Sequence, residues 1–307
     1  MSNAKQSIAI IGAGRIGSAY AFQLARAGHA VTVVARPGSV RLAQLSRDGG
    51  IVRDTGEQAR VTVADHLDEQ QPYDLVIVTT LAHQVDAVLP ALQRSAAKGI
   101  HFMFVTPEYK RLAAAVGEQR ATFGMASVLS VVKEDGTLQL DVQKTRSAQG
   151  DQGLVDLFTG AGLPSQLQPE MGRWLRSQVP LTIAMESVAG AAVRHGRGAT
   201  RAEAAAGARG FRAGLAIVRG AGETPYPGNN NQMSRTMSRM PAAVVAFIMR
   251  SVSRGKFRET VGNSAAECRG LIDILVAEGR QQPELRDAVS ALLALRPVEA
   301  AKAPATR

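Results

Sequence analysis

The chain has 307 residues, enough for about two domains, and its 45% hydrophobic and 20% charged residues exclude a disordered protein. The net charge is +10, but the arginines are scattered and aromatic residues make up only 4%, so we predict no nucleic-acid partner and keep nucleic-acid binding as the weakest alternative function. The single cysteine, Cys268, excludes an internal disulfide framework, and the spacing of the five histidines predicts no metal site. No apolar run is long enough to span a membrane and no signal-peptide pattern is present, so we expect a cytoplasmic protein without a membrane partner.

The first half of the chain alternates between strand and helix patterns. Apolar runs that predict buried strands occupy residues 7–13, 30–36, 74–80 and 100–106, and helical spacing follows at 15–28, 83–99 and from Pro107 onward. Alternation of this kind is typical of an α/β fold with a parallel sheet. The sequence "GTLQLDV" after "KEDG" predicts an antiparallel hairpin, which we place at the sheet edge.

The second half of the chain is helical in pattern. From about Leu154 it is rich in alanine, glycine and arginine, interrupted by a predicted loop at 224–232. We therefore predict an α/β domain over residues 1–150, an all-α substrate or dimerisation domain over 151–296 and a frayed tail over 297–307. Methionines along these helices favour a homodimer; they are Met233, Met237, Met240 and Met249.

A glycine motif lies between the first predicted strand and the helix that follows it. Gly12 permits a tight turn, Gly14 lets the backbone approach a diphosphate, and Gly17 lets the helix pack closely on the strand. The N–H groups at the start of the helix attract an anion. This context predicts a Rossmann domain that binds a dinucleotide. The expected contacts come from Gly12, Ala13, Gly14, Arg15, Ile16 and Gly17 at the motif, and from Thr80 and Leu81 after the third strand.

The end of the second strand selects between cofactors. An acidic residue there would bind the ribose 2′-hydroxyl of NAD, whereas an arginine accommodates the 2′-phosphate of NADP. The chain has Arg36 at this position, and Ser39 or Arg41 could assist it. We predict NADP(H) as the cofactor, with a solvated surface arginine as the alternative interpretation.

Four stretches together resemble the ketopantoate reductase (2-dehydropantoate 2-reductase) family. They are "IAIIGAGRIGSAYAFQLARAGHAVTVVAR", "DLVIVTTLAHQVDAVLPAL", "FGMASVLSVVKEDGTLQL" and "GLVDLFTGAGLPSQLQPEMGRWLRSQVPLTIAMES". The resemblance implies an N-terminal Rossmann domain and a C-terminal all-α domain. It also implies that NADPH and a 2-oxo acid bind in the cleft between these domains.

The polar residues that the resemblance implies are largely replaced here. A lysine after the third strand corresponds to Leu81, and an asparagine after the fourth corresponds to Pro107. The catalytic lysine corresponds to Arg176, and a helical asparagine corresponds to Pro180. A C-terminal acid that contacts substrate falls near Ser264–Glu267.

Several residues remain as candidates for catalysis. Arginine does not deprotonate in the usual pH range, so Arg176 is a poor general acid, although it could bind a carboxylate or stabilise an oxyanion. An interhelical ion pair is the equally weighted alternative for it. His83, at the carboxyl edge of the sheet, and Glu186, on the predicted helix of Arg176, are further catalytic candidates; Tyr109 and Lys110 begin the next helix at that edge.

Two functions follow from these patterns. The first is an NADPH-dependent oxidoreductase that transfers hydride to a small carbonyl compound, such as a 2-oxo acid, or to an imine. The second is an NADP(H)-binding sensor or scaffold without reductase activity, because the glycine motif is intact while the polar set is lost.

Overall fold

The computed structural model describes residues 5–142, 145–222, 232–254 and 265–297. The chain divides into two compact units, Met1–Leu175 and Arg176–Arg307, called here the N-terminal unit and the C-terminal unit. The long helix α6, Met171–Arg194, begins in the first and continues into the second.

An eight-stranded sheet forms the centre of the N-terminal unit, in the spatial order β12-β11-β8-β7-β6-β1-β2-β5. All neighbours pair in parallel except β8 and β11, which are antiparallel. The strands are β1 Ser7–Ile11, β2 Ala30–Val34, β5 Thr62–Ala64, β6 Leu75–Val78, β7 Ile100–Met103, β8 Ala121–Met125, β11 Ser147–Gln149 and β12 Ser165–Leu167. Two separate hairpins join β3 Gly50–Val52 with β4 Gln58–Arg60, and β9 Val128–Val132 with β10 Leu138–Val142.

Helices connect these strands. They are α1 Arg15–Arg26, α2 Val40–Asp48, a 3₁₀ helix Ala82–Ala87, α3 Leu89–Arg94, α4 Tyr109–Val116 and α5 Gln152–Gly160. The core lies between α1 and the sheet, where Tyr20, Phe22 and Leu24 of α1 are buried with Ile8 and Ile10 of β1. This packing fixes the start of α1 at the carboxyl end of β1.

The C-terminal unit contains only helices among its described residues. Besides most of α6, they are α7 Arg201–Gly220, α8 Gln232–Arg239, α9 Ala242–Val252, α10 Ala265–Gly279, a 3₁₀ helix Pro283–Leu285 and α11 Arg286–Leu293. Glycines of α7 permit close packing, since a Cβ on Gly207 would overlap Val188 and one on Gly210 would overlap Leu295. None of the described helices is both long and apolar enough to cross a membrane.

The predicted fold class, α/β with an N-terminal Rossmann domain and a C-terminal all-α domain, is confirmed. The predicted hairpin exists as β9–β10, but its placement at the sheet edge is wrong, because it forms its own two-stranded sheet and packs on α1. Its buried side chains, Val128, Leu138 and Leu140, join the core around α1, which gives it an apolar surface to cover. The predicted loop 224–232 and tail 297–307 lie outside the described residues, apart from Gln232 and Pro297.

Candidate functional site

The glycine turn, residues 12–17, joins β1 to α1 at the carboxyl edge of the sheet. Gly12 has a φ of +104°, which favours glycine, and its N–H donates to the carbonyl of Val34 on β2 at 3.0 Å. A Cβ on Gly17 would overlap the carbonyl of Gly12, and Thr79 Oγ1 donates to that same carbonyl at 2.9 Å. Two glycines and one threonine hydroxyl therefore close this turn tightly against the sheet.

The outer side of the turn is open. A Cβ on Gly14 would meet no atom within 4 Å, and Gly14 and Arg15 are exposed. Gly14 is the N-cap of α1 and offers no side-chain cap, and no acidic residue occupies the first turn of α1. Because the first N–H groups of a helix have no intrahelical partner, this end is suited to an anion. The geometry fits the diphosphate of a dinucleotide.

Arg36 follows β2 at the same edge of the sheet. Residues 36–39 form a tight turn in which Ser39 N–H donates to the carbonyl of Arg36 at 3.1 Å. Pro37 and Gly38, with a φ of +69° at the glycine, occupy the central positions that a type II turn requires. Arg36 is exposed in this turn. Its side chain is available to a ligand at the end of β2.

The two residues considered as helpers of Arg36 make other contacts. The hydroxyl of Ser39 caps α2 by accepting from Leu42 N–H at 3.2 Å. Arg41 is half-buried, and its guanidinium donates to the carbonyl of Ala13, to Ser18 Oγ and to the carbonyl of Gly136. Burial lowers the pKa of Arg41, and the nearby Asp48 carboxylate opposes that effect. Arg41 is therefore held against the inner side of the glycine turn.

The segment after β6 carries three predicted site residues. Thr80 Oγ1 is buried and has no hydrogen-bond partner among the described residues. Leu81 is half-buried and precedes the 3₁₀ helix, with its N–H 3.4 Å from Gln84 Oε1. His83 is exposed in that 3₁₀ helix. An orphaned hydroxyl beside the glycine turn is a further feature that suits a polar ligand.

The segment after β7 has a proline where the resemblance implies an asparagine, and an aromatic side chain, Tyr109, follows it. Pro107 is buried, and Thr106 Oγ1 accepts from Glu108 N–H at 3.1 Å. The ring of Tyr109 meets Phe123 edge-on, with 6.2 Å between ring centroids, and lies where a Cβ on Gly172 would be. Packing against Gly172 and Phe123 fixes the Tyr109 ring in place.

Arg176 forms an ion pair within the C-terminal unit. It is 7% exposed on α6, and its guanidinium contacts the carboxylate of Glu278 on α10. This is the interhelical pairing that the sequence left open as an alternative to substrate binding. Arg176 remains a predicted catalytic residue, with a guanidinium that already neutralises one carboxylate.

The remaining candidates on α6 and α10 lie among packed side chains. Glu186 is half-buried on α6, and Ser187 Oγ next to it lies 3.2 Å from Cys268 Sγ on α10. Burial raises the pKa of the Cys268 thiol to about 12, and the Glu186 carboxylate adds to that shift. A thiol of this kind stays protonated and is a poor nucleophile. Pro180 lies inside α6, against Gly214 of α7, and Glu267 lies in the first turn of α10.

Two residues that the sequence did not indicate, Ser18 and Ser130, donate hydrogen bonds to backbone carbonyls of the glycine turn. Ser18 donates to the carbonyl of Ala13 at 3.1 Å and is fully buried, while Ser130 donates to the carbonyl of Arg15 at 3.0 Å. Nothing in the linear pattern marks these contacts: the Ser130 bond joins residues 115 apart in the chain, and the Ser18 bond depends on how the glycine turn folds back on α1. Within the described ranges, no group of His, Cys, Asp and Glu is arranged to hold a metal ion.

Comparison with known proteins identifies a family that matches part of the chain and solved structures with a similar fold. Residues 8–148 match the family described as ApbA, ketopantoate reductase PanE/ApbA. Comparison with curated proteins finds no match to this chain.

The chain is also similar to solved structures. A PanE/ApbA family ketopantoate reductase from Ralstonia eutropha JMP134 aligns with a TM-score of 0.68 at 19% identity, covering 94% of this chain and 98% of that one. A 2-dehydropantoate 2-reductase from Methylococcus capsulatus aligns with a TM-score of 0.62 at 18% identity, covering 95% and 98%. D-mandelate dehydrogenase in complex with NADH aligns with a TM-score of 0.70 at 13% identity, covering 94% and 97%.

These likenesses agree with the features of the site. The matched region contains the glycine turn, Arg36 and Thr80, and the fold shared over nearly the whole chain is that of ketopantoate reductases and a related dehydrogenase. Residues 8–148 thus match the ketopantoate reductase PanE/ApbA family, and the family resemblance inferred from the sequence is confirmed.

Proposed function

We propose that the protein is an NADPH-dependent oxidoreductase that reduces a small carbonyl compound or an imine. The observation that carries this proposal is the open glycine turn, with free space above Gly14 and an exposed arginine, Arg36, at the end of the neighbouring strand. The neighbours named as reductases and dehydrogenases support the same class of reaction.

Arg36 supports NADPH over NADH. The 2′-phosphate of NADPH carries negative charge that a guanidinium fork can bind through two hydrogen bonds. Residues 35–39, "ARPGS", contain no carboxylate that would favour a ribose hydroxyl instead. Fluorescence titration with both cofactors tests this choice, and tighter binding of NADH would contradict it.

The residues of the chain would have to bind the substrate and supply a proton. When bound, the nicotinamide supplies the hydride, and the reduced carbonyl oxygen then needs a proton from a nearby acid. His83 is exposed at the carboxyl edge of the sheet, so its imidazole is our candidate donor. Arg176 remains the candidate for binding or polarising the substrate, and Glu186 remains a candidate for acid–base catalysis.

The substrate class is inferred from the replacement of polar residues that the family resemblance implies. Leu81, Pro107 and Pro180 stand where lysine and asparagine residues were expected, so ketopantoate itself is not favoured. Another 2-oxo acid, or an imine formed from a carbonyl and an amine, fits the remaining residues. An NADPH absorbance assay against a panel of 2-oxo acids, each with and without an amine, identifies the class.

A second function is favoured by one specific contact. The ion pair of Arg176 with Glu278 gives this arginine a structural role that needs no substrate. The alternative is therefore an NADP(H)-binding sensor or scaffold without reductase activity. Tight NADPH binding without turnover of any substrate in the panel would support this alternative over the first.

The proposal includes a homodimer, with no nucleic-acid partner. Two of the methionines that suggested it, Met237 and Met249, are buried in the helical core and cannot form an exposed interface. Sedimentation velocity tests the assembly, because the chain has a mass of 32.4 kDa and a dimer would have twice that mass.

A further inference from the structure

Arg41 lies where three parts of the N-terminal unit meet. Its Nε donates to the carbonyl of Ala13 at 3.3 Å, and its Nη2 donates to Ser18 Oγ at 3.1 Å. Its Nη1 donates to the carbonyl of Gly136, in the turn between β9 and β10, at 2.7 Å. A single guanidinium thus joins α2, the glycine turn and the hairpin.

Ser18 and Arg41 act on the same carbonyl. Ser18 Oγ donates to the Ala13 carbonyl at 3.1 Å while it accepts from Arg41 Nη2, so its hydroxyl uses both its donor and an acceptor position. Ser18 is fully buried and Arg41 half-buried, which strengthens each bond relative to a solvated one. The carbonyl of Ala13 is held on the inner side of the turn by two donors.

Holding this carbonyl also sets the direction of an N–H group. The peptide between Ala13 and Gly14 is planar and trans, so its N–H points opposite to its C=O. With the carbonyl held inward, the Gly14 N–H points away from Arg41, and Gly14 itself is exposed. A diphosphate bound at that side would be met by a pre-oriented donor, and pre-orientation reduces the free-energy cost of binding.

The hairpin secures Arg41 from its other side. Arg41, Gln44 and Arg47 lie at three-residue intervals along α2, so they share one stripe of that helix. They donate to three consecutive carbonyls of the hairpin turn: Gly136 accepts from Arg41, Glu134 from Gln44 and Asp135 from Arg47. The bond of Arg41 itself to the Gly136 carbonyl restricts the rotamers of Arg41.

We propose that Arg41 is a positioning residue for the cofactor diphosphate, acting together with Ser18 through the Ala13 carbonyl. The inference rests on the proposed binding of a nicotinamide dinucleotide. It assigns Arg41 a role different from that of Arg36. Arg41 sets the affinity for both NADPH and NADH, whereas Arg36 discriminates between them.

The test compares dissociation constants for NADPH and NADH in Arg41→Met, Ser18→Ala and the double variant. We expect Arg41→Met to weaken the binding of both cofactors by about tenfold or more, with their ratio unchanged. The double variant should lose no more affinity than the more affected single variant, because both residues act on one carbonyl. Arg41→Met and Arg36→Ala should instead combine additively for NADPH.

Arg47→Met is the matched control. It removes one arginine charge from the same helix and one bond to the same hairpin turn, and the contacts of Arg47 are with the Asp48 carboxylate and the Asp135 carbonyl rather than with the glycine turn. Wild-type affinities are expected for this variant. Equal losses in Arg47→Met and Arg41→Met would mean that charge or hairpin docking is responsible, and they would overturn the assignment.

Amide hydrogen exchange in the cofactor-free protein provides a readout that does not depend on binding. Arg41→Met should accelerate exchange in residues 13–16 while Arg47→Met leaves it unchanged. Unchanged exchange and affinity in Arg41→Met would overturn the inference, as would a selective loss of NADPH, which would place Arg41 on the 2′-phosphate. If the wild-type protein binds neither cofactor but exchange responds as expected, the proposed function fails and the positioning of the turn stands.

Discussion

Arg36 begins the tight turn at residues 36–39 and Arg41 follows it, but the two arginines differ in burial and in hydrogen bonding. Arg36 is exposed at the end of β2, whereas Arg41 is half-buried with three hydrogen bonds to the protein. A buried, hydrogen-bonded guanidinium contributes to the shape of a site, and an exposed one contributes charge to a ligand. The first prediction follows from the exposed arginine.

Replacing Arg36 should change cofactor preference without changing affinity for NADH. Arg36→Ala removes a charge-assisted contact with the 2′-phosphate, so the NADPH dissociation constant should rise at least about tenfold. Fluorescence titration with NADPH and with NADH measures the ratio of their dissociation constants. Arg60→Ala, an exposed arginine on β4, is the control, and an equal response in the two variants would contradict the specific role.

The second and third glycines of the motif should respond differently to alanine. Gly14 has a φ of −76° and open space beside it, so Gly14→Ala should leave the free energy of unfolding within about 0.5 kcal/mol of wild type. In Gly17→Ala the new Cβ would overlap the carbonyl of Gly12, so we expect a loss of about 2 kcal/mol.

Both variants should lose NADPH affinity, Gly14→Ala because its methyl group occupies the space left for the diphosphate. Urea unfolding and cofactor titration on the same samples separate the two effects. Wild-type affinity in Gly14→Ala would show that the open side of the turn is not where the cofactor binds.

His101 makes stability depend on pH. It is fully buried on β7, and this burial lowers the pKa of its imidazole from 6.5 to about 3. Between these pH values the unfolded chain binds more protons than the folded protein. The free energy of unfolding is therefore highest above pH 6.5 and declines as pH falls towards 3. The contribution lost between pH 7 and pH 5 is about 2 kcal/mol.

Urea unfolding at the two pH values measures this loss. His101→Asn keeps a polar group but cannot titrate, so its free energy of unfolding should fall less between pH 7 and pH 5. The same fall in wild type and variant would assign the pH dependence to other groups.

At this scale the sequence predicted the parts of the site that a local motif determines. Gly12 and Gly17 serve the expected purposes because turn and helix geometry leave room only for glycine there. The contacts of Arg41 with Ser18 and Gly136 were beyond reach, and an interhelical ion pair of Arg176 could be considered but its partner, Glu278, could not be named. They join residues distant in sequence, and hydrophobic periodicity carries no information about such pairs.

At the scale of elements, the strands that alternate with helices were predictable because buried apolar runs have a clear pattern. β1, β2, β6 and β7 all lie within predicted strands. The short strand β12 was not anticipated, because three residues, Ser165–Leu167, are too few to show a period. The hairpin β9–β10 was recognised from its turn, but only tertiary packing on α1 decides where it lies.

The helical unit offers a matched pair of substitutions on α7. A Cβ on Gly214 would lie 2.9 Å from Cβ of Pro180, in a rigid ring, whereas a Cβ on Gly210 would meet the flexible end of Leu295. Gly214→Ala should cost about 1–2 kcal/mol because α6 and α7 must separate. Gly210→Ala should cost less, since the Leu295 side chain can move and alanine favours the helix by about 1 kcal/mol.

Thermal and urea unfolding compare the two variants. Greater destabilisation by Gly210→Ala than by Gly214→Ala would show that the Pro180 contact does not limit the approach of the two helices.

For the whole molecule, the contacts proposed for the cofactor turn and Arg36 lie in the N-terminal unit, one of two compact units. NADPH at a hundred times its dissociation constant should stabilise the native state by about 2.7 kcal/mol. Scanning calorimetry should show this stabilisation as a rise in the midpoint temperature of the unfolding transition that includes the N-terminal unit. Buffer without NADPH is the reference, and an unchanged transition at saturating NADPH would contradict binding to the native state.

The long-range bond from Arg41 to the hairpin turn also has a consequence for synthesis on the ribosome. Arg41 and Gly136 are 95 residues apart, so the glycine turn leaves the exit tunnel well before the hairpin that secures it. At translation rates of about 5–20 residues per second, this delay lasts about 5–20 s. A nascent chain in that interval has the complete motif but lacks the contact that holds Arg41 in place. Cofactor capture during translation should therefore begin only after the hairpin has emerged.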